Sequence, residues 1–377
     1  MLTNPDPRVG DPLAELVTPA LLVDPERLDR NVASVQQVMT DLGVSLRPHW
    51  KTSKCVQVAR RQRAAGAIGF TCATSREVAT LLAEDDLGEV LWAHLPVGPA
   101  KTRFAAQAAA SGRLTVGIDS VVGGQALSDA ATKQGTEIAY LLEVESGSGR
   151  AGLGQDKVVD ARRRLDQLPG LRCRGVFTFE GAGLGGLAGH PRQLSDAART
   201  SGRILAAAAA SLATAGSPCE VVSVGSTPGL HDTASVAGIT ESRPGTYVYY
   251  DLGQVNYGKA SVADCALTVL ARVISSPRAG QVIIDAGSKA MSSDRSNVGT
   301  VMGLACDLEL NPLAEVTFSK VNEEHGWLVG PGTSALAVGD LVRIVPNHAC
   351  TATNSWSTLL VVEGGLVTDI WPIVARY

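Results

Sequence analysis

The chain has 377 residues, 45% of them hydrophobic and 19% charged, which is enough apolar material for one large barrel with a smaller partner domain and excludes disorder as the main state. Thirty-three Lys and Arg stand against 37 Asp and Glu, for a net charge of −4, and no block of like charges marks a nucleic-acid or anionic-membrane surface. Mean hydropathy is +0.11, yet the longest apolar stretches, such as the alanine-rich 204–210, fall well short of the roughly 20 residues that span a bilayer.

The opening run MLTNPDPRVGDPLAELV carries Pro and acids where a secretory signal has a basic start and an apolar core, so a cytoplasmic location is expected. ALLVD at 20–24 reads as a short strand that can pair with a C-terminal sheet, followed by a helix with Asn31, Val35, Val38 and Leu42 on one face. From residue 44 to 250 short apolar runs alternate with helical segments. The predicted strands are 44–50, 67–73, 89–94, 114–119, 138–145, 173–179, 220–225 and 246–250, with helices over 55–65, 100–111, 124–134, 157–168 and 192–215 among the segments between them. This pattern is α/β and matches a (β/α)8 TIM-type barrel better than an open doubly wound sheet. After Asp251 helical periodicity fades. Strand-like runs at 263–275, 281–285, 341–345, 358–363 and 366–373, with a Gly364-Gly365 hairpin, predict a C-terminal β domain. The expected division is 1–25 packing with the β domain, 26–255 as the barrel and 256–377 as the β domain. Seven cysteines lie far apart without a CxxC pair, which argues for a reducing compartment rather than a disulfide framework.

Functional side chains of such a barrel belong at the C-terminal ends of its strands. Those ends hold Lys51, Arg150, Phe179 and Glu180, the loop residues Gly225, Ser226 and Thr227, and Tyr247 with Tyr249. A loop of backbone N–H groups and hydroxyls after the seventh strand suits a phosphate, and a lysine ending a buried strand suits a carbonyl cofactor. Together they point to pyridoxal 5'-phosphate. Lys51 and Lys54 are not separated by spacing alone, although Lys54 reads most simply as a solvated lysine of the first helical turn. Arg150 can serve the cofactor or only neutralise Glu143 or Glu145. His348 and Cys350, two apart after an apolar strand, would share a side of an extended chain and reach one ion, zinc by their donor softness; taken alone they are better described as a turn histidine and a buried cysteine.

The run RPHWKTSK (47–54) resembles the RPHxKTHK motif of the D-threonine aldolase and D-serine dehydratase family, pyridoxal-phosphate enzymes with an alanine-racemase-like fold. The likeness extends over nearly the whole chain through TPALLVD, VGPAK, EVESGSGRAG, VSVGSTP, RPGTYVYYD, IDAG, EEHG and PNHAC, in that order. It implies that Lys51 is the Schiff-base lysine, that Arg150 lies near the cofactor ring oxygen, and that Gly225, Ser226 and Thr227 with Tyr247 hold the phosphate. It also implies a divalent metal at His348 and Cys350, zinc before manganese or magnesium, and a homodimer.

One departure bears on the reaction. The family usually places Tyr or His after the sixth strand, where this chain reads FTFEGAGLGG, with Glu180 or His190 as possible substitutes for the missing base. Loss of that base favours elimination, which needs Cα deprotonation and a metal at the leaving hydroxide, over retro-aldol cleavage. The expected function is a metal-dependent lyase on a D-3-hydroxy amino acid, of D-serine or D-threonine dehydratase type. The alternatives are a D-threonine aldolase and, from another class, a pyridoxal-phosphate carrier without catalysis. A racemase needs no metal at the β-position. The partner is a small-molecule amino-acid substrate, with neither nucleic acid nor membrane.

Overall fold

The structure, a computed structural model, describes residues 6–180, 184 and 186–376. It divides into two compact units, one of Ala33–Lys51 and Val58–Gly245, the other of Met1–Val32, Thr52–Gln57 and Thr246–Arg376. The borders expected at 25/26 and 255/256 move for a local reason. Asn31 Nδ2 donates to the carbonyls of Val248 and Asp264 at 3.4 and 2.8 Å, and Ala266 N–H donates to Tyr249 O at 2.7 Å, so these flanking segments belong to the β unit. Among the described residues no helix is long and apolar enough to cross a membrane.

In the first unit the described residues form an eight-stranded parallel sheet: Ser45–Leu46, Gly69–Cys72, Glu89–Trp92, Leu114–Ile118, Ile138–Glu143, Leu171–Phe177, Val221–Val224 and Glu241–Ser242. Each pairs with its sequence neighbour, and the eighth pairs back to the first. The first and second are joined by Ile68 N–H to Leu46 O at 2.9 Å, Thr71 N–H to Pro48 O at 2.8 Å and a His49–Thr71 bridge, which closes the barrel. Strands three to five are buried almost throughout, as expected where helices cover one face and barrel side chains fill the other. Gly175 shows how close the backbones come, because an added Cβ would lie 1.9 Å from Val221 O.

The helices follow from their sequences. Thr74 and Ser120 accept the N–H groups of Glu77 and Gly123 as N-caps, and Pro99 and Pro191 open helices where a missing N–H costs nothing. The alanine-rich run lies in Pro191–Thr214, with Leu194, Ala198, Ser201, Leu205, Ala208 and Leu212 buried at helical spacing.

The eighth strand departs from its expected place at 246–250. That segment is a 3-10 turn, Thr246–Val248, and the strand is the polar pair Glu241–Ser242. A buried Arg47–Glu241 ion pair at 2.8 Å, with Ser223 Oγ donating to Glu241 at 2.6 Å, lets a carboxylate occupy a barrel strand.

The second unit is built on a nine-stranded sheet with Leu267–Arg278 at its centre. Ala20–Val23 pairs antiparallel with that strand and parallel with Thr358–Glu363. Leu341–Pro346 bridges Leu267–Arg278 to Gly303–Cys306, and Gln281–Ile284 leads on to Gly326–Val329 and Thr317–Val321. Thr358–Glu363 and Leu366–Pro372 form the Gly364-Gly365 hairpin, with φ +57° and +80° at its two glycines. Leu22, Leu270, Leu360, Val362 and Val367 form one of its cores. Gly303–Cys306, Thr317–Val321 and Gly326–Val329 escape a reading of the sequence because they are short and two begin with Gly or alternate with exposed polar residues.

Candidate active site

The barrel's C-terminal strand ends surround a cavity of roughly 570 Å³, whose walls include Lys51, Arg150, Phe179 and Gly225. Lys51 sits in a 3-10 turn, Trp50–Thr52, directly after the first strand. Its Nζ lies 5.8 Å from the Phe179 ring centroid, and the Arg150 guanidinium lies over the same ring at 4.5 Å. Arg150 Nη2 is 3.7 Å from Glu143 Oε1, whereas Glu145 accepts the N–H groups of Gly147, Ser148 and Gly149 at 2.5, 2.6 and 3.2 Å. Of the two acids weighed for Arg150, Glu143 is therefore its neighbour and Glu145 builds the loop that carries it.

His49, His94, Lys101 and Arg243 complete the polar wall of the cavity. The spacing of His49 from Lys51, two apart at a strand end, was the signal for placing it there, and sequence reasoning passed over it. Burial, then the charges of Lys101, Arg150 and Lys51, hold His94 below the ordinary histidine value. Burial pushes Glu143 up, opposed by Arg150 and Arg243.

Glu180 is not part of that wall. It is 1% exposed and turned to the loop after the seventh strand, where Ser226 Oγ donates to it at 2.7 Å and Gly225 N–H at 3.3 Å. Gly229 makes the space, since an added Cβ would lie 2.9 Å from Glu180 Oε1. His190, the N-cap residue of the long helix, is exposed and also absent from the cavity lining. Neither replaces a base beside Lys51. Gly181–Gly183 and Gly185, which complete the unusual glycine-rich run, lie outside the described residues.

Burial lifts the Glu180 carboxyl from 4.5 to about 7. Folded Glu180 thus holds its proton through a pH window in which the unfolded chain has released it, and stability falls as pH rises from about 4.5 to about 7, by on the order of 3 kcal/mol. Glu180→Gln should remove this slope. In urea titrations the variant should gain on the wild type by about that amount between pH 5 and pH 8, and parallel pH profiles for the two proteins would refute the assignment.

The His348–Cys350 pair lies in the β unit, but not on an extended chain. His348 is extended and caps the helix Ala349–Asn354, in whose first turn Cys350 falls. The two converge because the chain coils between them rather than through strand alternation. His348 Nδ1 is 3.2 Å from Asp251 Oδ2, and Cys350 lies beside the same imidazole. The negative charge of Cys350 first, then the hydrogen bond to Asp251, raise the His348 pKa against the effect of burial. Thr52 Oγ1 lies 3.2 Å from Cys350 Sγ. Among the described residues no group of three or more His, Cys, Asp or Glu side chains is arranged to hold a metal, so this pair supplies two donors at most.

Tyr247 is fully buried in the turn Thr246–Val248 of the β unit. Lys54 is not the solvated helix lysine expected: it is 4% exposed, has φ +46° before the helix Val56–Ala65, and its Nζ donates to Ala375 O at 3.0 Å. Among the described residues no cysteine forms a disulfide. The IDAG and EEHG runs meet at a corner of the β unit, where Ser288 and Lys289 N–H donate to Asn322 and Glu323 carbonyls at 2.8 and 3.1 Å, leaving His325 exposed in the turn.

Comparison with known proteins agrees with this architecture. Residues 23–252 match the family described as alanine racemase, N-terminal domain, and residues 266–362 match the putative serine dehydratase domain. The chain is 37% identical to D-threo-3-hydroxyaspartate dehydratase of Delftia sp. (strain HT23) over 90% of this chain and 92% of that protein. It is 31% identical to D-threonine aldolase of Arthrobacter sp over 99% and 96%. The solved structure of a cysteine-to-alanine mutant of D-threo-3-hydroxyaspartate dehydratase, in a metal-free form, superposes with a TM-score of 0.90 at 33% identity, covering 97% of this chain and all of that one. Similarity that runs through both units at these identities places the chain in the D-threonine aldolase and D-serine dehydratase family of alanine-racemase-like lyases.

Proposed function

We propose that this protein is a pyridoxal-phosphate- and metal-dependent lyase that removes water from a D-3-hydroxy amino acid, and that its preferred substrate carries a second carboxylate. The observation that carries the substrate class is the cavity wall, where Lys51, Lys101, Arg150 and Arg243 face a single acid, Glu143. Lys101 stands in the first turn of the helix Pro99–Ala109, where a lysine is disfavoured by the helix dipole unless an anion joins it. The activity printed for the Delftia relative, on D-threo-3-hydroxyaspartate, agrees with such an anion.

The residues present fit the cofactor. The cavity is of ligand size, one wall bears a lysine and an arginine over an aromatic ring, and at Gly225 an added Cβ would crowd the Arg243 guanidinium at 3.1 Å. Bound there, pyridoxal phosphate supplies an electron sink that makes the substrate Cα–H acidic. Lys51 would carry the cofactor and accept the Cα proton at Nζ. Arg150 would position the ring, and Gly225, Ser226 and Thr227 with Tyr247 would hold the phosphate, with Glu180 fixing the shape of the loop. The imidazole and thiolate of His348 and Cys350 suit zinc, which stabilises negative charge on a departing hydroxyl. The metal-free form described for the relative's cysteine mutant supports metal use in the family. Loss of the Cα proton and of the 3-hydroxyl as water gives, after hydrolysis, a 2-oxo acid and ammonia.

A panel of D-threo-3-hydroxyaspartate, D-serine and D-threonine tests this reading, with ammonia, 2-oxo acid and glycine measured separately. Hydroxyaspartate should be consumed fastest, and Lys101→Met should lower its kcat/KM about tenfold while changing that for D-serine less than about threefold. Equal losses on both substrates would remove Lys101 from substrate selection. Glycine with an aldehyde in place of ammonia would make the protein an aldolase, and no turnover of any of the three would overturn the lyase reading.

A further inference from the structure

Asp251 ends the RPGTYVYYD run, and no role follows for it from the residues around it in sequence. It is fully buried. Its Oδ1 accepts Gln254 N–H at 2.9 Å, capping the short helix Leu252–Asn256. Its Oδ2 accepts Ala349 N–H at 2.9 Å and lies 3.2 Å from His348 Nδ1. With both oxygens of Asp251 already accepting backbone N–H groups, the short contact to Nδ1 is satisfied when the ring nitrogen donates. A neutral imidazole held in this way has its lone pair on Nε2, the nitrogen left for a cation shared with Cys350. The backbone holds this arrangement at a second point, because Gly253 N–H donates to Asn347 O at 3.1 Å, joining the two segments that carry Asp251 and His348.

We infer that Asp251 is a positioning residue for the metal site: its buried carboxylate fixes the tautomer and ring orientation of His348, so that Nε2 faces the cation. The inference rests on the metal reading above. A carboxylate behind a ligating imidazole raises its basicity and restricts its rotation, and such partners affect metal affinity by about 10- to 100-fold. Asp251→Asn keeps one oxygen for the Gln254 N–H and turns an amide N–H toward both Nδ1 and the Ala349 N–H; the contact with Nδ1 favours the proton on Nε2 and blocks the ligating position.

The test is zinc affinity of the cofactor-loaded, metal-stripped protein, read by competition with a chromophoric chelator and so without reference to turnover. Asp251→Asn should bind zinc about 10- to 100-fold more weakly than wild type, with an unchanged cofactor spectrum, and His348→Ala more weakly still. Nitrogen NMR of zinc-loaded wild type should show metal on Nε2 with a proton on Nδ1, an outcome that backbone support by Asp251 does not require. Metal on Nδ1 in the wild type would mean that Asp251 acts only by supporting the backbone, and unchanged affinity in Asp251→Asn would remove its role altogether. If wild type and His348→Ala both fail to bind zinc, the metal reading itself is at fault. Should Asp251→Asn not fold, nitrogen NMR of zinc-loaded wild type decides: metal on Nε2 with a proton on Nδ1 is required, and metal on Nδ1 overturns the inference.

Discussion

Lys51→Ala is expected to lose the visible absorbance of bound cofactor together with at least about 10³-fold in turnover, the scale on which removal of a positioned proton-transfer group is felt. Lys51 alone of the two candidate lysines lines the cavity. Lys54, three residues later, is buried against the carbonyl of Ala375, so Lys54→Ala should keep the absorbance band and change chiefly the stability of the β unit. Spectra of the two purified variants suffice. A band that survives in Lys51→Ala and disappears in Lys54→Ala would reverse the assignment.

Metal removal should be nearly as damaging. Hydroxide is a poor leaving group, and a Lewis acid at its oxygen is worth about 4 kcal/mol, or on the order of 10³-fold in rate. Chelation should therefore stop turnover of D-3-hydroxy amino acids while the cofactor spectrum stays nearly unchanged. His348→Ala and Cys350→Ala should each behave as the chelated enzyme does. Cys306→Ala is the control, since that thiol is buried in an apolar cluster with Leu252, Cys265, Leu310 and Val345. Cys350→Asp exchanges a soft donor for a hard one and should move the metal preference from zinc toward manganese or magnesium. Undiminished consumption of substrate after metal removal verified by elemental analysis would eliminate the proposed chemistry.

Much of this protein is legible in its sequence because most barrel strands are short apolar runs between helical segments, several of them, such as Leu114–Ile118 and Ile138–Glu143, buried along their whole length. Seven of the eight barrel strands, the long alanine-rich helix and the glycine hairpin can be read in this way, and the rule that chemistry collects at strand ends leads to Lys51, Arg150 and the loop at Gly225. Polar residues whose burial depends on a distant partner are different. Glu241 looks like a loop residue until Arg47 lies beside it, almost 200 positions away in sequence, and Glu180 looks like a base until Ser226 and Gly225 turn it to the loop.

The tertiary structure also decides how residues near in sequence meet. His348 and Cys350 converge through the start of a helix rather than along a strand, and Asp251 reaches His348 across 97 positions. Periodicity reports which side of an element is apolar, whereas the charge, tautomer and direction of a buried polar side chain depend on which hydrogen-bond partners the fold brings to it. The sequence by itself therefore determined the barrel, the strand-end rim that lines its cavity and the family. Only the fold decided which carboxylates face the cavity, which one fixes a loop, and which one holds a histidine in place.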